Sequence, residues 1–220
     1  IAVGAEYALI NRKDSLISAT PRSLLTVNPR YEFYVVDDLK LSAGIVAAFE
    51  NDTIDGKSVH AYPDVRASYP LSPSVEVTAS LTGGMEKVSL QSLSRENLWL
   101  TANVPIFHTN RLLDLQAALH TRIGNKISVN GGFSLAALKH WYFFNNMQED
   151  PSKFTVEYDD VTNRMNFFAS LGFSQTKAFK ILVRGDLYAY STDEIDEAWH
   201  RPTYKVTGEA SLNISDKFLL

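Results

Sequence analysis

Two long alternating stretches joined by a tight turn fill the segment from Leu25 to Phe49. In the first, Leu25, Val27, Tyr31, Phe33 and Val35 share one parity, while Thr26, Asn28, Arg30 and Glu32 fall on the other. In the second, Leu39, Leu41, Ala43, Ile45, Ala47 and Phe49 alternate with Lys40, Ser42, Gly44, Val46, Ala48 and Glu50. Successive side chains of a strand point to opposite faces, so each stretch has one apolar face and one polar or small-residue face. Asp37-Asp38 between them predicts a hairpin turn. The second stretch holds its alternation for about a dozen residues, against roughly 5–6 in an ordinary globular strand. A tilted strand needs about 9–11 residues to cross a bilayer.

The same pattern recurs along the whole chain. Ile1, Val3, Ala5, Tyr7 and Leu9 open it, and a polar loop from Asn11 to Arg22 follows. After a loop over Asn51–Ala61, Val65, Ala67, Tyr69 and Leu71 face Val75, Val77, Ala79 and Leu81 across a turn at Ser72-Pro73-Ser74. Gly83-Gly84 opens the longest connection, running to about Arg111, within which Leu90 to Leu98 predicts a helical turn or two. Further alternating pairs flank turns at Gly124-Asn125-Lys126 and Ser174-Gln175-Thr176-Lys177. A last run from Tyr204 to Ile214 turns at Ser215-Asp216-Lys217. The run after Lys126 closes on Trp141-Tyr142-Phe143-Phe144.

About ten strands are predicted, with connections that alternate between short and long. Outer-membrane barrels have short periplasmic turns and longer external loops, whereas a soluble sandwich turns every 8–12 residues or so without that asymmetry. Almost every charge in the strands lies on the polar parity: Arg30, Glu32, Lys40, Glu76, Asp114, Arg122, Lys180, Arg184, Asp186, Lys205 and Glu209. A cation on the lipid face costs about 2–4 kcal/mol at mid-bilayer, which assigns that parity to the lumen. Tyr31, Phe49, Tyr69, Trp141, Phe143, Phe173 and Tyr204 lie toward strand ends, where interfacial aromatic girdles belong. The expected fold is all-β: an antiparallel up-and-down transmembrane β-barrel, with about ten strands visible of a larger barrel.

Composition narrows this little. Net charge is −4 with both signs interspersed, so there is no basic stripe for nucleic acid. Cysteine is absent, which removes disulfides, thiolate metal sites and a Cys nucleophile. No apolar run of about eighteen residues offers a transmembrane helix. The chain opens inside an alternating run and ends just after a turn. Residues 1–220 are therefore expected to be one barrel segment, truncated at both ends and without a plug domain.

Three stretches carry a family resemblance: Tyr62-Pro63-Asp64-Val65-Arg66-Ala67-Ser68-Tyr69-Pro70-Leu71, the loop Leu90 to Leu98, and Lys153-Phe154-Thr155-Val156-Glu157-Tyr158-Asp159-Asp160. They resemble barrel segments of Bacteroidota-type outer-membrane proteins, in particular TonB-dependent-receptor-like barrels. The likeness is one of texture over most of the chain rather than a diagnostic motif. The N-terminal plug and the aromatic-terminated last strand of true TonB-dependent transporters are missing, and those barrels have about 22 strands. The resemblance implies a Gram-negative outer membrane and a transport or receptor role.

The candidate functional residues follow from this placement. Arg122, Arg184, Asp186, Lys205 and Glu209 are expected to face the lumen, the last four pairing across adjacent strands. Glu157, Asp159 and Asp160, with Asp193, Glu194, Asp196 and Glu197, fall near long loops on one predicted side. They are solvated acidic loops by default, with a hard cation such as calcium as the alternative. His60, His108, His120, His140 and His200 lack metal-ligand spacing, with His60 and His200 placed in loops, and no nucleophile elbow marks an enzyme. No cofactor is implied. Three functions remain open: a transporter or receptor component for a small solute, a structural barrel docking a partner outer-membrane protein or surface lipoprotein, and a soluble β-barrel with its apolar face inward. Lipid is the surrounding partner in the first two.

Overall fold

The computed structural model describes residues 1–11, 21–36, 38–52, 57–175, 179–214 and 218–219. Asp37 of the first hairpin turn and the turns around residues 176 and 216 lie outside the described residues. The elements in chain order are β1 (Ala2–Ile10), β2 (Arg22–Val36), β3 (Leu39–Glu50), β4 (Val59–Ser72), β5 (Val75–Glu86), α1 (Leu90–Glu96), β6 (Thr109–Ile123), β7 (Ile127–Asn146), β8 (Phe154–Gln175), β9 (Phe179–Ser191), β10 (Tyr204–Ile214) and β11 (Phe218–Leu219). All pair antiparallel with their chain neighbours in one sheet that runs β1 to β11 in order. This is the expected all-β, up-and-down barrel wall, here an open section of one.

The register turns the sequence parity into two belts. One row reads Ala67, Ala79, Ala117, Phe133, Phe167, Leu187 and Tyr204 from β4 to β10. The next row reads Ser42, Arg66, Ser80, Gln116, Ser134, Asn166 and Tyr188 from β3 to β9. A one-residue slip would exchange the faces, so the apolar pattern fixes the register along the strands, apart from local shifts between Tyr34/Val36, Pro70/Ser72, Thr82/Gly84 and Arg111/Leu113. The apolar row and its neighbours are open to the surroundings, with Phe167, Leu171 and Leu187 each more than half exposed.

The polar face is the concave one. Lys87, just beyond β5, lies 3.9 Å from Glu6 of β1, and Arg22 at the start of β2 donates to the Val88 carbonyl at 3.0 Å. Four strand spacings of about 4.8 Å separate β1 from β5 along the sheet, so that segment must cross the hollow side. The apolar positions therefore face outward, opposite to the orientation that a soluble barrel with an apolar interior requires.

Two local expectations change. Gly83 and Gly84 do not open a loop; both lie within β5, which continues to Glu86. Gly83 serves close packing, because a Cβ there would stand 2.9 Å from Tyr62 and from the Leu112 carbonyl oxygen. His60 is likewise not in a loop but near the start of β4. The helical turns expected within Leu90–Leu98 form as α1, whose N-cap Ser89 makes a reciprocal capping box with Ser92.

β7 and β8 run for 20 and 22 residues, about twice what a bilayer crossing needs. Their long-loop ends carry the main hydrophobic core, where Phe143, Leu93, Leu138 and Val104 are essentially fully buried. Trp141 and Phe143 were expected in an interfacial girdle. They instead sit in this core, against Tyr142, Phe144, Val156 and Ile195. Four consecutive aromatics buried on both faces need cover on both sides, which the folded connections supply. Tyr31, Phe49, Tyr69 and Tyr204 remain exposed.

Candidate functional site

The candidate site is the concave polar wall together with the connections folded over its long-loop end. On β9 the Arg184 Nη2 donates to Asp186 Oδ1 at 2.8 Å and its Nε to Oδ2 at 3.0 Å. The guanidinium also stands 4.4 Å from the Phe168 ring centre. Asn166 Nδ2 adds a 3.3 Å contact to the same carboxylate. Arg184 and Asp186 thus form an ion pair along one strand, since residues two apart share a face and the arginine is long enough to reach back. Lys205 stands opposite Asp186 in the register and Glu209 opposite Leu182.

Arg122 lies near the short-turn end. It lines a concavity of about 630 Å³ with His120, Ser128 and Asn130. A lateral chain of hydrogen bonds crosses four strands at this level. Thr78 Oγ1 is 3.2 Å from His120 Nε2, His120 Nδ1 is 2.9 Å from Asn130 Oδ1, and Asn130 Nδ2 donates to Ser170 Oγ at 3.0 Å. On the other flank, buried Asp64 accepts from Asn28 Nδ2 and Arg66 Nε, both at 2.9 Å.

The acidic residues at the long-loop end divide into two kinds. Asp159 is fully buried. Its carboxylate accepts from the backbone N–H groups of Asp193, Glu194 and Ile195 at 3.1, 2.8 and 3.2 Å, and from the Thr162 hydroxyl at 2.5 Å. It organises the β9–β10 connection and is not a solvated ligand, because a buried carboxylate must have its lone pairs filled. Asp160 is half-exposed near Lys139 and His140, at 3.5 and 4.0 Å. Asp193, Glu194, Asp196 and Glu197 are exposed. Among the described residues, no three His, Asp or Glu side chains are placed to hold a metal ion.

No local pattern in the sequence marks how residues 87–108 are held. Asp52 accepts from Arg22 Nη2 at 2.6 Å and from the His108 backbone N–H at 2.8 Å. The buried His108 ring takes the Val88 backbone N–H on Nδ1 at 3.1 Å, with Arg22 Nη2 3.0 Å from the same nitrogen. Both ends of the excursion are thereby clamped to β2 and the loop after β3. Burial, and then the Arg22 charge, push the His108 pKa down to about 4 despite the opposing Asp52. His108, His60 and His140 line a small cavity of about 10 Å³ with Glu50, Asp52, Met85 and Asn110. With Nδ1 accepting, the neutral ring carries its proton on Nε2, which makes it a donor there and not a metal ligand.

At its far end the excursion is held by α1. Tyr142 Oη donates to Glu96 Oε1 at 2.5 Å, and Arg201 stacks 4.3 Å from the Trp141 ring centre while donating to the Tyr142 carbonyl at 2.5 Å. One sequence signal marked this region: Trp141–Phe144 breaks the two-residue period, as a stretch covered on both faces must.

No family model matches the sequence, and no curated protein matches it. Solved structures do match in fold. The FrpB iron transporter from Neisseria meningitidis superposes with a TM-score of 0.55 at 10% identity, over 90% of this chain and 31% of its own. The pyoverdine outer membrane receptor FpvA from Pseudomonas aeruginosa PAO1, bound to pyoverdine, gives 0.54 at 11%, over 89% and 29%. The copper transporter OprC gives 0.55 at 11%, over 87% and 32%. These likenesses establish a TonB-receptor-like barrel fold. The chain spans under a third of the length of these three structures.

Proposed function

We propose that residues 1–220 form one section of a larger outer-membrane barrel of a Gram-negative cell that acts as a transporter or receptor for a small solute. The observation that carries this reading is the two-faced sheet. An exposed apolar belt covers its convex side, and a charged concave wall is roofed at one end by anchored connections. Lipid takes the first surface and solute the second. No covalent chemistry or cofactor is assigned. The fold shared with FrpB, FpvA and OprC, which are described as transporters or a receptor, supports the reading.

The test uses the full-length protein. It should partition into detergent and migrate differently on a gel before and after heating, and a cell lacking it should lose uptake of one solute class. Replacing Arg184 and Asp186 together should reduce that uptake while leaving the heat shift intact. A protein soluble without detergent would overturn the proposal.

A second reading, docking of a partner protein or surface lipoprotein, has one specific observation behind it. Leu98 and Trp99 are 85% and 69% exposed on a segment pinned beside them, where Phe154 N–H donates to the Trp99 carbonyl at 3.0 Å. Copurification of a partner that is lost in Trp99→Ala, without any solute uptake, would favour it.

A further inference from the structure

The wall between β2 and β6 carries a cavity of about 350 Å³ whose lining includes Arg30, Lys40, Ser42, Arg66, Thr78 and Gln116. That volume falls within the roughly 300–1,000 Å³ of small-molecule sites. Its charged groups are mostly cationic donors. Glu32, the one carboxylate in the lining, is occupied by Lys40 Nζ at 3.0 Å. Behind the cavity, buried Asp64 takes Arg66 Nε at 2.9 Å and is approached by Arg30 Nη1 at 3.9 Å. One carboxylate thus serves two guanidinium groups, while Glu76, beside the cavity, is engaged by the Ser68 hydroxyl.

Two buried lining atoms also stand without partners. Ser42 is 7% exposed and its Oγ makes no hydrogen bond, and Arg30 Nε is buried without one. Buried polar groups are paired almost without exception, so each such orphan needs an explanation. Arg30 is held close against β3 by a glycine. It faces Gly44 in the register, where a Cβ would lie 3.2 Å from the Arg30 Cα and 2.6 Å from the Pro29 carbonyl oxygen.

We propose that this cavity is an oxyanion subsite on the lumenal wall, taking the carboxylate or phosphate group of a small solute. Guanidinium forks match the geometry of both groups, and the Ser42 hydroxyl supplies a donor from the cavity floor. The subsite shares Lys40, Ser68 and Thr78 with the concavity of His120 and Arg122, so it opens toward the short-turn end of the wall. The inference rests on the proposed lumen-facing role of this surface.

The experiment is equilibrium dialysis of the full-length protein in detergent against radiolabelled inorganic phosphate, repeated with citrate. Wild type should bind at least one of them saturably. Arg66→Gln should weaken binding roughly tenfold or more, as loss of a charge-assisted donor does. Arg66→Lys should weaken it less, and Leu119→Ala on the apolar face should change nothing. Ser42→Ala, a minimal change that should also weaken binding, decides the question if Arg66→Gln does not fold. Absence of saturable binding by folded wild type, as when a carboxylate of the protein itself fills the cavity, would overturn the subsite. So would unchanged binding in folded Arg66→Gln. The heat shift is recorded for every sample: its absence in wild type would instead overturn the membrane barrel.

Discussion

Asp159→Ala should loosen the β9–β10 connection while leaving the sheet intact. The carboxylate holds three successive backbone N–H groups and one hydroxyl in a site with no solvent exposure. Hydrogen bonds to charged groups contribute about 1.5–3 kcal/mol each, but the released amides can regain water once the connection opens. The net loss is therefore set nearer the 3–5 kcal/mol typical of removing one partner from a buried charged contact. At about 1.4 kcal/mol per tenfold, even the lower figure raises the local opening equilibrium by about a hundredfold. Amide hydrogen exchange at residues 193–195 reads that equilibrium directly. Exchange there should accelerate by about that factor, while amides at the centre of β8 and β9 keep their protection. Asp159→Asn, which retains one acceptor oxygen, should fall between. Wild-type exchange at all three amides in Asp159→Ala would refute the assignment of Asp159 as the organiser of this connection.

Three further outcomes are expected. His108 has a native pKa of about 4 against an ordinary 6.5, so the native state binds fewer protons than the unfolded one between those values. Its contribution to stability is complete above about pH 6.5 and falls by about 3 kcal/mol as pH drops to 4. His108→Gln should flatten the urea midpoint over that window, and an unchanged slope would sink the assignment. Phe167→Arg on the apolar belt should lower the stability of the folded barrel in vesicles by about 2–4 kcal/mol, whereas Thr26→Arg, opposite Glu6 on the polar parity, should be nearly neutral; equal effects would mean the faces are misassigned. Arg201→Met should remove about 2 kcal/mol of stacking and hydrogen bonding at Trp141 and Tyr142, read as a shift in tryptophan emission and faster proteolysis of the external connections. Identical emission and cleavage would show that Arg201 holds nothing there.

The fold was largely written in the sequence, for a simple geometric reason. A strand with one apolar and one polar face must alternate, and a single slipped residue would put charges such as Arg66 and Asp186 on the apolar face. Residue parity thus determined the strands, most of the register and the placement of Arg122, Arg184, Asp186, Lys205 and Glu209 on the polar face of the sheet. The helical turns of α1 were visible too, since its leucine spacing departs from the strand period.

What parity could not determine was anything made by residues far apart in the chain. The clamp of Arg22, Asp52, Val88 and His108 joins four segments that share no local pattern, and only the curvature of the sheet brings them together. Asp159 looked like its exposed acidic neighbours, because a carboxylate's role depends on which backbone amides reach it and not on its own flanks. The core around Phe143 and the partnerless donors beside Arg66 were settled the same way. Both arise where strands run on beyond the apolar belt or approach across a glycine, and the neighbours that decide their burial lie on other strands.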